Sequence, residues 1–238
     1  MPQKICWFEL MFDAKPVIEL NNAFIFQGQN LILQNVDLNV SSGEMVYMVG
    51  KTGSGKSSLL KTLYADVPLK EGTGEVAGSK LTKLKRKDIP FFRRRLGIVF
   101  QDFNLLSDRN VYQNLYFVLE STGWKKRSDI DARINEVLKL VNMGSKGFKM
   151  VYELSGGEQQ RLVIARAILN KPEVIIADEP TGNLDPEVTD DIMQLLHSIC
   201  DKGTAVLIAT HDYRIINKFP GKIYRCEEGR VEEVRFVG

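Results

Sequence analysis

Cysteine is scarce in this chain. There are three in 238 residues, Cys6, Cys200 and Cys226. They lie too far apart for a zinc-binding spacing and are too few for a disulfide framework, which favours a reducing compartment. Cys200 and Cys226 fall in apolar-patterned segments and read as core residues. Histidine is scarcer still, with only His197 and His211. No apolar run reaches the about 20 residues of a membrane-spanning helix, so any membrane role requires another chain to supply the span. The stretch Met1–Phe12 has an apolar patch but no long apolar core and no small-residue cleavage site, so no signal peptide is expected, and Met11 is an alternative start. A net charge of +2 draws the chain to no particular partner. Internal repeats and low-complexity tracts are absent. What remains is a chain with an ordinary 44% hydrophobic content, enough for one large domain with a substantial core.

The stretch that stands out is Gly50-Lys51-Thr52-Gly53-Ser54-Gly55-Lys56-Ser57. It fits G-x-x-x-x-G-K-[ST], the phosphate-binding loop. Met45–Val49 before it is apolar and reads as a buried strand. Ser58–Leu63 after it reads as a helix. Glycines let backbone N–H groups close around phosphate oxygens, and the helix turns its positive end toward the same anion. Lys56 can reach the β and γ phosphates, and the Ser57 hydroxyl can ligate Mg²⁺.

Around this loop the chain alternates strands and helices. Val17–Phe26 and Leu31–Val40 read as two strands of an antiparallel layer. Phe26 is open to two readings, a core aromatic or a ring that stacks on adenine. Glu71–Gly74 reads as a loop before a short strand at Glu75–Val76. Lys80 to Arg95 holds eight basic residues with Asp88 as the only acid. It reads as a solvated face, or as a contact with anionic lipid or nucleic acid. Leu96–Phe100 is a strand ending at Gln101, followed by a loop over Asp102–Asn110. Val111–Thr122 reads as a helix. Ser128, with Asp131 three residues on, reads as the N-cap of another that buries Ile130, Ile134, Val137, Leu138 and Val141. The segment from about 102 to 160 is thus a candidate helical subdomain.

Ser155-Gly156-Gly157-Glu158 has capping-box spacing and opens a helix through Leu169. Paired glycines just inside a helix cost about 1 kcal/mol each against alanine, so close approach of an anion to their N–H groups is the suggested reason. Val174–Ala177 reads as a buried strand ending in Asp178-Glu179, where carboxylates suit Mg²⁺ coordination and water activation. Asp185-Pro186 opens the next helix as N-cap and N1. Ala205–Ala209 is another strand, ending at His211. His197, on a helix, reads as structural. Strands at Lys222–Arg225 and Val231–Phe236 close the chain.

Taken in order, the phosphate loop, Gln101, Leu154–Glu158, Asp178-Glu179, Asn183-Leu184-Asp185 and His211 resemble the nucleotide-binding subunits of ABC ATPases. Within that superfamily, Ile89–Asn114 is similar to the bacterial cell-division ATP-binding (FtsE) family, on Gln101-Asp102-Phe103 and Asp108-Arg109-Asn110-Val111-Tyr112-Gln113-Asn114. Relatives that power lipoprotein release and macrolide export share Glu158–Arg161 and Ala177–Asp185, and an ATPase of that kind is the alternative. Asn110 departs from an expected threonine and Val151 from a common proline.

The resemblance implies an α/β phosphate-loop ABC domain over residues 17–238, with a RecA-like core, an antiparallel β subdomain and a helical subdomain inserted at about 102–160. Residues 1–16 form an extension. It implies that Phe26 stacks on adenine and that Gly50–Ser57 and Ser58 hold the phosphates of ATP. Ser57, Gln101 and Asp178 would bind Mg²⁺. Glu179, His211 and Lys56 would serve catalysis, and Ser155, Gly156, Gly157 and Glu158 would meet ATP held by a second copy in a head-to-tail homodimer. The implied partner is a membrane protein similar to FtsX, contacted near Phe103–Tyr116, at the cytoplasmic face of the plasma membrane. Intact Lys56, Asp178, Glu179 and His211 argue against a degenerate module. The short segment between Gln101 and Leu154 leaves no room for the long arms of nucleic-acid members, so no nucleic acid is expected.

Overall fold

Met45–Val49 is buried along its whole length because a separate layer covers each face of the sheet it sits in. In the computed structural model, which describes residues 16–234, ten strands form two sheets. The Met1–Phe12 patch, Cys6 and Phe236 lie outside the described residues.

The first sheet is antiparallel and contains β1 (Ile18–Gln27), β2 (Asn30–Val40), β4 (Glu71–Val76) and β5 (Ser79–Lys80), in the order β2-β1-β4-β5. It is the expected antiparallel layer, with one correction. Glu71–Gly74 is strand rather than loop, because it pairs along β1, Leu20 opposite Gly74 and Phe24 opposite Glu71. The pairing comes from β1; the segment's own glycines carry no strand pattern.

The second sheet holds β3 (Met45–Val49), β6 (Leu96–Val99), β7 (Val174–Asp178), β8 (Ala205–Thr210), β9 (Lys222–Glu227) and β10 (Arg230–Val234), in the order β10-β9-β3-β8-β7-β6. All neighbours run parallel except the β9–β10 hairpin at the edge. Alternation along β3 splits its side chains between two cores. Val46 and Met48 face the antiparallel layer and α1 (Lys56–Leu63). Met45, Tyr47 and Val49 face the other helices. These are α3 (Val111–Ser121), α4 (Arg127–Leu140), α5 (Gly156–Ile168), α6 (Pro186–Cys200) and α7 (Tyr213–Lys218). A short helix, α2 (Ile89–Arg93), lies within the basic run.

Between 102 and 160 the regular elements are helical, joined by one isolated bridge, Asn110 to Met150. The expected buried faces form, with Ile130, Ile134, Val137, Leu138 and Val141 in the core. Ser128 is not the cap of α4. The helix begins a residue earlier, with Lys126 at the N-cap, and the Ser128 hydroxyl contacts Asp129. Asp131 instead accepts from the Tyr112 hydroxyl and pairs with Arg127, joining α3 to α4. The other caps form as expected. Ser155 and Glu158 make a reciprocal capping box, and Asp185 accepts from the Val188 amide with Pro186 at the start of α6.

The basic run divides in two. Arg93 donates to the carbonyls of Tyr64 and Ala65, and Arg95 pairs with Glu173. Lys83, Lys85, Arg86 and Lys87 are exposed. Cys200 and Cys226 are buried, and His197 pairs with the Tyr47 hydroxyl at 3.3 Å and packs on Phe219, so all three are structural.

Candidate functional site: a cleft at the sheet edge

β3, β8 and β7 are adjacent and parallel, so the segments leaving their C-terminal ends emerge at one edge of the sheet. β3 leads into the phosphate loop, β7 into Asp178-Glu179 and β8 into His211. β3 also has β9 on its other side, so the loop springs from the point where the strand order turns back, the place where α/β sheets bind ligands. The result is a cleft of about 240 Å³ lined by Lys56, Ser57, Gln101, Asp178, Glu179 and His211, with Thr52, Gly53, Gly55 and Ser58. A second hollow, on the other side of the loop, is lined by Gly50–Ser54 and Cys226.

The chain's own contacts shape the loop. Lys56 is 6% exposed, and its ammonium donates to the carbonyls of Gly50 at 2.6 Å and Lys51 at 3.1 Å. Two of its three donors thus curl the loop on itself and one is left for a ligand. Gly50 has to be glycine, because a Cβ there would stand 2.2 Å from the Cys226 carbonyl oxygen. The Cys226 thiol donates to the Ser54 carbonyl at 2.9 Å, so β9 braces the loop from below.

Asp178 is the most unusual group. Its Oδ1 is buried with no hydrogen-bond partner among the described residues. Burial pushes its pKa up, and the neighbouring Glu179 carboxylate adds to this; a hydrogen bond from Ser57 and the charges of Lys56 and Lys61 oppose it. A half-buried carboxylate with one sequestered, unbonded oxygen, beside a hydroxyl, is a donor set that suits a small hard cation. Glu179 has φ 47, a left-handed conformation uncommon for a side-chain-bearing residue, and its amide donates to the Ala209 carbonyl at 2.9 Å. That kink off the end of β7 turns the Glu179 side chain to His211, whose Nδ1 lies 2.8 Å from Oε1.

Three groups of expected site residues do not line this cleft. Gly50, Lys51 and Ser54 line only the hollow on the other side of the loop. Phe26 is half-buried on β1 beneath Lys70, whose Nζ is 5.4 Å from the ring centroid, and its neighbour Gln27 lines the cleft instead. Ser155, Gly156, Gly157 and Glu158 lie at the start of α5, outside the cleft. Gly157 has a reason for being glycine within the chain itself: a Cβ would fall 2.5 Å from Val188 Cγ1 of α6. Other residues of the site carry no signal in the sequence. Gln27 and Ile32 in the cleft wall have no chemistry that marks them. Arg166 of α5 donates to the Phe103 and Asn104 carbonyls, and Asn114 of α3 bonds the Leu106 amide and the carbonyls of Leu106, Arg109 and Asn110. These two side chains strap down the loop after Gln101.

A loop, a carboxylate pair and a histidine at one sheet edge are shared by many nucleotide hydrolases. The decision comes from comparison with known proteins. The ABC transporter family profile matches residues 33–182. The cell division ATP-binding protein FtsE of Streptococcus pneumoniae (strain D39) is 47% identical over 84% of this chain and 86% of its own length. The chain is an ABC transporter ATPase of the FtsE family. FtsE of Bacillus subtilis is 43% identical over 83% of the chain and 86% of that protein. Among solved structures, a dimeric ATP-binding cassette in a post-hydrolysis state, bound to ADP and Pi, superposes with a TM-score of 0.80 at 32% identity, covering 93% of this chain and 99% of the other. The FtsE-family ATPase therefore binds and hydrolyses ATP. Among the described residues no helix is long and apolar enough to cross a membrane.

Proposed function

We propose that two copies of this FtsE-family ATPase pair head to tail, each closing Ser155–Glu158 over ATP held in the other's phosphate loop. The pair would act on a membrane protein of the FtsX kind at the cytoplasmic face of the plasma membrane, in control of cell-wall hydrolases at division. The observation that carries the pairing is the separation within one chain. The cleft gathers Lys56, Ser57, Gln101, Asp178, Glu179 and His211, while the second anion-accepting element, the N-terminus of α5, lies outside it. The solved cassette that this chain resembles is dimeric. The cell-division role rests on the name its relatives carry.

The residues take these roles. Residues 17–238 act as one ATP-binding domain, with 102–160 as its helical part and 1–16 as an extension. Gly50–Ser57 and Ser58 hold the phosphates through backbone N–H groups and the α1 N-terminus. Lys56 meets the β and γ phosphates. Glu179 accepts a hydrogen bond from the attacking water, and His211, bonded to Glu179, contacts the γ-phosphate. Phe26 would meet adenine at the rim. The orphaned Asp178 oxygen and the Ser57 hydroxyl fit Mg²⁺, with Gln101 in the lining of the same cleft. Mg²⁺ supplies neutralisation of the phosphate charge. Loss of the γ-phosphate then weakens the closed pair, a two-state switch that the Phe103–Tyr116 surface would pass to the membrane partner.

The test is affinity capture from membranes with Glu179→Gln, which binds ATP and stalls before hydrolysis. Recovery of a four-span membrane protein with a large extracytoplasmic loop supports the reading. Recovery of a lipoprotein-release or exporter permease moves the function to transport. Recovery of no membrane protein removes the coupling.

A further inference from the structure

The start of α5 carries an electrostatic contradiction. As the element proposed to meet the γ-phosphate of a partner's ATP, it should be free of negative charge. Yet its first turn contains Glu158, and the helix has no basic residue in that turn. Glu153, just upstream, adds a second carboxylate, turned toward the Met150 amide. Glu158 is there as a cap, since Oε2 accepts from the Ser155 amide at 3.0 Å while its own amide bonds the Ser155 hydroxyl. The cap leaves Oε1 and the carboxylate charge at the end of the helix that would face the anion.

That oxygen is taken by Lys146 in a close ion pair. The pair is partly shielded, with the lysine side chain 33% exposed and the glutamate 22%, so solvent screens it less than a surface pair. It is also held in place. The turn that carries Lys146 is docked on the N-terminus of α3, where the Val111 and Tyr112 amides donate to the carbonyls of Lys149 and Gly147 at 2.9 and 2.8 Å. Its own amide donates to the Met143 carbonyl. Lys149, on the same turn, has no carboxylate partner among the described residues.

We propose that Lys146 is a positioning residue for ATP hydrolysis: it cancels the Glu158 carboxylate so that the N-terminus of α5 presents its N–H groups to a partner-held γ-phosphate without repelling it. This rests on the head-to-tail reading. The ligand chemistry is a nucleoside triphosphate, and the site is completed by a second copy of this chain.

The experiment is steady-state ATP hydrolysis by the full chain, comparing Lys146→Met, Glu158→Gln, the double variant and Lys149→Met. Lys146→Met leaves an uncompensated carboxylate and raises KM about tenfold, a figure set by one unit charge near the phosphate. The increase shrinks at high salt, which a packing defect would not do. Glu158→Gln keeps the cap acceptor and lowers KM below the wild-type value. The double variant restores charge balance and returns KM to that of wild type. Lys149→Met, which removes an equal charge without a carboxylate partner, leaves KM unchanged. A wild-type KM for Lys146→Met alongside a shifted KM for Glu158→Gln overturns the Lys146 proposal alone. A double variant as poor as Lys146→Met does the same. If neither Lys146→Met nor Glu158→Gln moves KM while Lys56→Ala abolishes hydrolysis, the α5 end does not meet ATP and the head-to-tail reading falls with it.

Discussion

Asp178 is held at a cost to the folded chain. Its carboxylate is half-buried, one oxygen is sequestered with no partner among the described residues, and burial raises its pKa. Because the folded-state pKa lies above the unfolded one, ionised Asp178 opposes folding at neutral pH, and the penalty disappears as pH falls through the raised value and the group protonates. Asp178→Asn therefore raises the melting temperature of the nucleotide-free protein by about 2–4 °C at neutral pH. The gain fades in acid, and ATP hydrolysis falls about a hundredfold or more. Calorimetry across pH with a parallel activity assay checks both; a melting temperature that falls at neutral pH refutes the account. Glu179 belongs with Asp178, since its left-handed backbone is local strain of the kind that accumulates where chemistry is done. The chemical residue types are legible in the sequence because their spacing and their places at strand ends are local. The φ of Glu179 and the orphaned Asp178 oxygen are not, because both depend on strands β7 and β8 meeting.

At the level of elements, caps decide how well sequence speaks. Ser155 and Asp185 each sit before an apolar-periodic run and do cap it. Ser128 has the same local pattern, yet α4 starts before it, and Asp131, its expected capping partner, is engaged by Tyr112 and Arg127. Tertiary contact overrides the local pattern there. Asp185→Ala should cost about 1 kcal/mol. Ser128→Ala should stay within about 0.5 kcal/mol. Urea unfolding of the two variants, side by side, is the check, and equal losses would show that Ser128 does cap α4. Apolar runs such as Val174–Ala177 and Ala205–Ala209 announce buried parallel strands, because both faces of that sheet are covered. Glu71–Gly74 announces nothing, since β1 supplies the reason for it to extend. Nor can the strap on the Gln101 loop be read from local pattern, since Asn114 and Arg166 reach it through the fold.

For the molecule as a whole, the two faces of one six-stranded sheet are sealed by two distinct cores, and its edge carries the cleft. The phosphate loop and the α5 N-terminus occupy different surfaces, so a lesion in one spares the other. A chain with Lys56→Ala keeps a sound α5 end, and a chain with Ser155→Arg keeps a sound phosphate loop. On the proposed head-to-tail pairing, neither should hydrolyse ATP alone. Mixed together, they form some unlike pairs in which both lesions fall on the same side and the opposite side is whole. Activity should return on mixing two dead proteins, and a cell carrying both alleles should divide where a cell carrying either one fails. In genetic language, the gene for this chain should show complementation between its own mutants, sorted into two groups by which surface each mutation strikes.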